Sequence, residues 1–167
     1  MKIVRYILII LISFLVNLCY SQNDWRPGFI ITNDHDSING FIDFRPSKEN
    51  SVRCLFRSTE QGKTELYTPE KIYGYRFTDG KFYISKYVEA EELKGTYFFE
   101  FLIHGKVNAY YLKLDEGMYF LEKDGELHEL KNSESIITID GRDYFKEKKE
   151  YIGTLKYLLQ EAEIQKD

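Results

Sequence analysis

The chain opens on Lys2 and Arg5 and then runs without a charge from Tyr6 to Val16, 11 residues. That is the length of a signal-peptide apolar region, whereas a membrane-crossing helix needs about 20 apolar residues. Cys19 and Ser21 place small side chains two apart, the spacing that precedes cleavage, so a mature chain beginning at Gln22 is expected. Two other readings remain open. Acylation of Cys19 would put Leu18 where a small residue normally stands, and an uncleaved anchor would have to run through Asn17. The domain reading is therefore residues 1–21 as signal peptide and 22–167 as one β-rich domain, with no membrane span after cleavage.

From Gln22 onward short apolar runs alternate with turn residues. Gly28–Thr32 and Ser37–Phe44 flank Asn33-Asp34-His35-Asp36, a hairpin. Val52–Ser58 and Thr64–Thr68 flank Gln61-Gly62-Lys63, and Pro69 stops the pairing. Tyr73–Phe77 and Lys81–Val88 flank Thr78-Asp79-Gly80; a two-residue loop there sets Phe77 opposite Phe82 and Tyr75 opposite Ile84, with Arg76 opposite Tyr83 on the other face. Thr96–Ile103 is apolar on both faces except at Glu100, which predicts a central strand covered on both sides. His104-Gly105-Lys106 reverses it into Val107–Leu114. Met118–Glu122 and Glu126–Leu130 flank Asp124-Gly125; a two-residue loop sets Leu121 opposite His128, and a three-residue loop sets Phe120 opposite Leu130. Ile136–Ile139 reads as a short last strand.

The period then changes. Tyr151, Ile152, Leu155, Leu158, Leu159 and Ala162 form an apolar stripe opposite Lys146, Lys149, Lys156 and Glu163, an amphipathic helix over about 145–163. Gly153 inside it costs about 1 kcal/mol relative to Ala and marks a close approach to the sheet. The pattern as a whole is mainly β: an antiparallel barrel or strongly curved sheet of about nine short strands with one C-terminal amphipathic helix. Nothing alternates in the βαβ manner.

Composition agrees with strands. Residues 22–167 hold 12 Tyr, 11 Phe and Trp25 but only Ala90, Ala109 and Ala162. The 167-residue chain carries 23 basic and 27 acidic side chains, a net −4, and without residues 1–21 the balance is −6. That acidity argues against nucleic-acid binding. Cys54 alone would remain after cleavage; Val52, Cys54 and Phe56 share a strand face, which reads as core and not as a reactive thiol.

The search for chemistry is mostly negative. His128-Glu129 begins like a zinc-protease motif, but position 132 is Asn132 and the segment reads as a strand. Asp34 and Asp36 begin like a calcium loop, but Ile38 and Asn39 stand where an acid or amide and a glycine are required. His35, His104 and His128 are scattered singly. No G-x-S-x-G, Walker loop or dinucleotide fingerprint occurs, and no metal or cofactor is expected. The suggestive feature is tyrosine: Tyr83, Tyr87, Tyr110 and Tyr111 are candidates for a face that binds a sugar or peptide.

Gly28-Phe29-Ile30-Ile31-Thr32-Asn33, Asp36-Ser37-Ile38 and Gly40-Phe41-Ile42-Asp43-Phe44-Arg45, with Tyr67-Thr68-Pro69-Glu70-Lys71-Ile72 and Tyr151-Ile152-Gly153-Thr154-Leu155, resemble a family of small exported proteins of Gram-negative bacteria with no assigned function. His35 stands where that family usually has Gly. The resemblance implies a periplasmic or extracellular protein and carries over no catalytic residue. The leading expectation is a non-catalytic module binding a protein or glycan of the cell envelope. The alternatives are a hydrolase with a dispersed site around His104 or His128, and a structural subunit of an envelope assembly.

Overall fold

The computed structural model describes residues 23–90 and 93–160. The expected export signal lies outside the described residues. Within them the chain forms twelve strands and two helices. The first hairpin is β1 (Trp25–Ile31) and β2 (Ser37–Asp43). A short helix α1 (Ser47–Asn50) leads to β3 (Cys54–Arg57), β4 (Glu65–Tyr67) and β5 (Gly74–Phe77). Two long strands follow, β6 (Phe82–Ala90) and β7 (Leu93–Ile103), then β8 (Asn108–Lys113), β9 (Gly117–Lys123) and β10 (Glu126–Glu129). The described residues end in a separate hairpin, β11 (Ser133–Ile139) with β12 (Arg142–Lys148), and the helix α2 (Glu150–Leu158).

β1 to β10 make one antiparallel sheet in the order β10-β9-β8-β7-β6-β5-β1-β2-β3-β4. It does not close, so the expected barrel is corrected to an open sheet, and the strand count rises from about nine to twelve. The reason lies in where the cores sit. A barrel gathers its core on one inner face. Here paired residues, which share a face, place Tyr83 and Phe98 on one side of β6–β7 and Ile84 and Phe99 on the other. All four are buried. The first side carries a core of Ile30, Ile42, Cys54, Phe56, Ile72, Tyr75 and Phe77 with Tyr83 and Phe98. The second carries Val88, Tyr110, Leu112 and Phe120 with Ile84 and Phe99. β7 is thus the doubly covered central strand that its sequence predicts.

Glycine makes room in the first core. Gly28 pairs with Gly40 across β1–β2. A Cβ at Gly28 would meet Ile42 Cδ1 at 2.8 Å, and one at Gly40 would meet the Phe56 ring at 2.5 Å. The α1 segment then caps this core: the Tyr75 hydroxyl donates to the Asn50 carbonyl at 2.7 Å. One residue on, Ser51 stands between β7 and β8. Its carbonyl accepts from the Phe98 N–H at 2.8 Å, and its hydroxyl oxygen accepts from the Lys113 N–H at 3.4 Å. The two strands part there, and a side chain and carbonyl satisfy the backbone groups that their ladder would have paired.

The β5–β6 hairpin has a three-residue loop, Thr78-Asp79-Gly80, closed by the Phe77 N–H to the Lys81 carbonyl at 3.1 Å. The register is therefore one residue from the expected one. Tyr75 lies opposite Tyr83 and Arg76 opposite Phe82. A one-residue slip exchanges faces, and it is this slip that stacks Tyr83 on Tyr75 with centroids 4.8 Å apart. At β9–β10 the two-residue loop is the one adopted: Leu121 faces His128, and Asp124 and Gly125 have φ of 52° and 84°.

The C-terminal region differs most from its sequence pattern. Residues 145–148, expected as the first turn of a helix, belong instead to strand β12, which pairs with β11 around Asp140-Gly141, whose φ values are 51° and 73°. A turn that suits left-handed residues outweighed a helical run that had no cap. α2 starts only at Glu150. Tyr151, Leu155 and Leu158, at i, i+4 and i+7, turn inward, and Leu158 is 2% exposed. Ile152 and Leu159, expected in the stripe, are exposed. A Cβ at Gly153 would meet nothing within 4 Å, so that glycine marks no close approach. Residues 161–163 of the expected helix lie outside the described residues.

Candidate ligand-binding cleft

β8 and β9 place Tyr111 directly opposite Tyr119. Their rings lie 5.0 Å apart, tilted by 46°. Gly117 allows this: a Cβ there would come within 2.5 Å of the Tyr111 hydroxyl. Tyr119 remains 53% exposed. Its carbonyl accepts from the Leu130 N–H at 2.8 Å, which carries the chain past the end of β10. Lys131 then accepts from the Tyr151 N–H at 2.9 Å, and that bond ties the start of α2 to the same end of the sheet.

These connections enclose a cleft of about 800 Å³ between the β8–β9 turn, the 129–133 segment and the first turn of α2. Tyr119 and Tyr151 supply its aromatic surface, and Glu116, Glu129, Lys131 and Glu150 its charge. Glu129 pairs with Lys131 at 3.5 Å. Glu150 accepts from the Ser133 hydroxyl at 2.9 Å and pairs with Lys148 at 3.1 Å. Lys148 and then Ser133 hold the Glu150 carboxyl below the usual range, so it is an anion at neutral pH. Two part-exposed rings within reach of fixed carboxylates, a cation and amides suit a ligand with both apolar faces and hydroxyl or amide groups. Among the described residues lining the cleft there is no histidine or cysteine.

None of the four tyrosines singled out from the sequence lines this cleft; Tyr111 only packs against the Tyr119 ring. Tyr87 is exposed on β6, where its hydroxyl donates to Glu89 at 3.0 Å. Tyr83 is buried in the first core, and burial pushes its hydroxyl up to about 12. Tyr110 is buried on the opposite face of the sheet. The four are therefore not one surface. Tyr119 and Tyr151 went unread because each looks like an ordinary strand or helix residue. The available signal was Tyr119 standing level with Tyr111 across the Asp115-Glu116 turn.

Tyr110 belongs to a partly buried charge cluster with Lys86 and Glu122. Its hydroxyl donates to Glu122 at 2.7 Å, Asn108 donates to the same oxygen at 3.3 Å, and Lys86 reaches the other oxygen at 2.6 Å. Burial works against the Glu122 charge, but Lys86, Tyr110 and Asn108 outweigh it and hold the carboxyl below its usual range. With both oxygens occupied, Glu122 is a structural anion and not a poised base.

The histidines stand apart from the cleft. His35 sits at φ 66° with its ring 4.6 Å from Tyr73. His104 packs near Phe101 at 6.0 Å, and His128 faces Glu126 at 3.8 Å. Among the described residues no three His, Cys, Asp or Glu side chains are grouped to hold a metal ion. A second, more apolar notch of about 390 Å³ lies beside Phe44 and Phe77, where the Arg26 guanidinium stacks 3.7 Å over Phe44. The chain matches no protein-family model, no curated protein and no solved structure.

Proposed function

We propose that this chain is an exported, non-catalytic β-rich module that binds a glycan or a protein segment of the cell envelope in the cleft at Tyr119 and Tyr151. Export rests on the charged start, the 11-residue apolar run and the small residues at 19 and 21. The resemblance to small exported proteins of Gram-negative bacteria supports the same placement. The observation that carries the binding reading is the cleft itself: about 800 Å³, with Tyr119 half exposed and anchored by Tyr111 behind it. A ring held at one face and open at the other offers contact area at little entropic cost.

The alternative readings draw less support. A hydrolase around His104 or His128 needs a nucleophile beside an imidazole, and those rings adjoin Phe101 and Glu126. Assembly through the edges of the ten-stranded sheet needs long bare strands, whereas its edge strands β4 and β10 have three and four residues.

The test is a titration of the mature chain, followed by amide NMR, with envelope glycan fragments and with peptides from envelope proteins. Shifts should centre on residues 117–119, 129–133 and 150–151. Tyr119→Ala should abolish them, and Tyr87→Ala should not. Shifts that centre elsewhere and survive Tyr119→Ala would sink the reading. Intact mass of the native protein tests export separately: it should correspond to a chain starting at Gln22.

A further inference from the structure

The β11–β12 hairpin sorts its charges by face. Cross-strand partners share a face, so Glu134/Glu147, Ile136/Phe145 and Thr138/Asp143 form one side. Ser133/Lys148, Ser135/Lys146, Ile137/Tyr144 and Ile139/Arg142 form the other. The first side carries three carboxylates and no cation; the second carries three cations and no carboxylate. Each has an apolar pair at its centre. Phe145 is 84% exposed and Ile136 62% on the acidic side, and Tyr144 is 48% exposed on the basic side.

Such a hairpin is short of partners. Two strands alone are marginal in water, and β11–β12 is a sheet of its own. Glu134 and Glu147 stand directly opposite each other, a like-charge pair that costs stability. Among the described residues, an amide from Asn132 reaches Glu147 at 3.2 Å and no cation is placed between the two carboxylates.

We propose that the acidic face of this hairpin stacks on the basic face of the same hairpin in a second copy of the chain. Laid in the same direction, Ile136 and Phe145 of one copy cover Ile137 and Tyr144 of the next. Asp143 then meets Arg142 and Glu147 meets Lys146 and Lys148 along β12, while Glu134 comes over Ser133 and Ser135 of β11. The contact is head-to-tail: every added copy presents a fresh face, so association continues beyond a dimer or closes as a ring. Its apolar centre lies outside the cleft, which uses neither Phe145 nor Tyr144, but the basic face borders the cleft at Ser133 and Lys148, the partners of Glu150.

Sedimentation velocity of the mature chain over rising concentration tests this. The weight-average mass should climb past that of a dimer and fall when salt is raised from about 0.05 M to about 0.5 M. Glu134→Lys with Glu147→Lys leaves both faces basic, and Arg142→Glu with Lys146→Glu leaves both acidic while sparing Lys148, which pairs with Glu150. Each double variant should associate at least about tenfold more weakly. An equimolar mixture of the two, and the quadruple variant with both faces reversed, should recover association. Circular dichroism of each variant verifies that the main sheet is intact. A chain that stays monomeric at every concentration, with amides 133–148 protected from exchange, would show that another segment of the same chain covers the hairpin and would overturn the proposal. A monomer with those amides unprotected would equally overturn it and leave the hairpin to a different partner. A dimer that stops at two and ignores the charge reversals would also overturn it.

Discussion

Leu158→Ala is the most direct probe of how the C-terminal helix is held. Leu158 is 2% exposed, while Ile152 on the outer side is 40% exposed. α2 has nine residues, too few to persist alone in water, so docking must supply most of its stability. The substitution deletes three carbons, worth about 2.4 kcal/mol at roughly 0.8 kcal/mol each. A cavity term raises such losses to about 2–5 kcal/mol in rigid cores. Leu158 belongs to neither main cluster, so the helix can settle and the lower end, about 2–3 kcal/mol, is expected. At about 1.4 kcal/mol per decade, 2.5 kcal/mol corresponds to roughly sixtyfold more frequent opening of the helix. The Leu159 amide, which donates to the Leu155 carbonyl at 2.9 Å, reports that opening by hydrogen exchange. Ile152→Ala and Lys156→Ala should stay within about 0.5 kcal/mol of the parent in denaturant melts. If Leu158→Ala melts with those two and leaves the Leu159 amide unchanged, the helix does not dock through Leu158 and the argument fails.

Gly153→Ala should stabilise the chain by about 0.5–1 kcal/mol, because a new Cβ meets nothing and helix propensity improves; a loss in a thermal melt would show a neighbour at that position. At His35, with φ 66°, Ala keeps the left-handed strain and loses the Tyr73 contact, whereas Gly loses the contact but relieves the strain. His35→Gly should therefore be more stable than His35→Ala by about 1 kcal/mol in paired melts. Alkaline pH should unfold the protein. Burial raises Cys54, and burial also raises Tyr83, from 10.0 to about 12. Stability from groups raised on folding is fully present below their unfolded values and lost as pH climbs toward the folded ones, so melting temperature should hold through neutral pH and fall between about pH 9 and pH 12. For Tyr83 alone the loss is on the order of 3 kcal/mol. Native Cys54, 2% exposed, should resist thiol reagents until denaturant is added; rapid labelling at neutral pH would contradict its place in the core.

The strands of the main sheet were legible because their cues are local. Period-2 apolar runs bounded by Asp-Gly and Asn-Asp turns mark β1, β2, β5, β6, β9 and β10, and two-sided apolar character marks β7 as doubly covered. Three things depended on contacts distant in sequence. The β5–β6 register was decided by which face of Tyr83 finds Tyr75, an interaction with a core built from β1 to β4. Whether the sheet closes was decided by cores on both of its faces and by Ser51 parting β7 from β8, which no periodicity encodes. The fate of Arg142–Lys148 turned on a partner strand across Asp140-Gly141, since Lys146 and Glu147 suit a helix as well as a strand edge. The cleft follows the same division. Tyr119 and Tyr151, 32 residues apart, come to line one cleft only after β9 and α2 converge on the 129–133 segment. Local periodicity sets which residues seek burial; the pairing of distant segments sets which of them are left to bind something else.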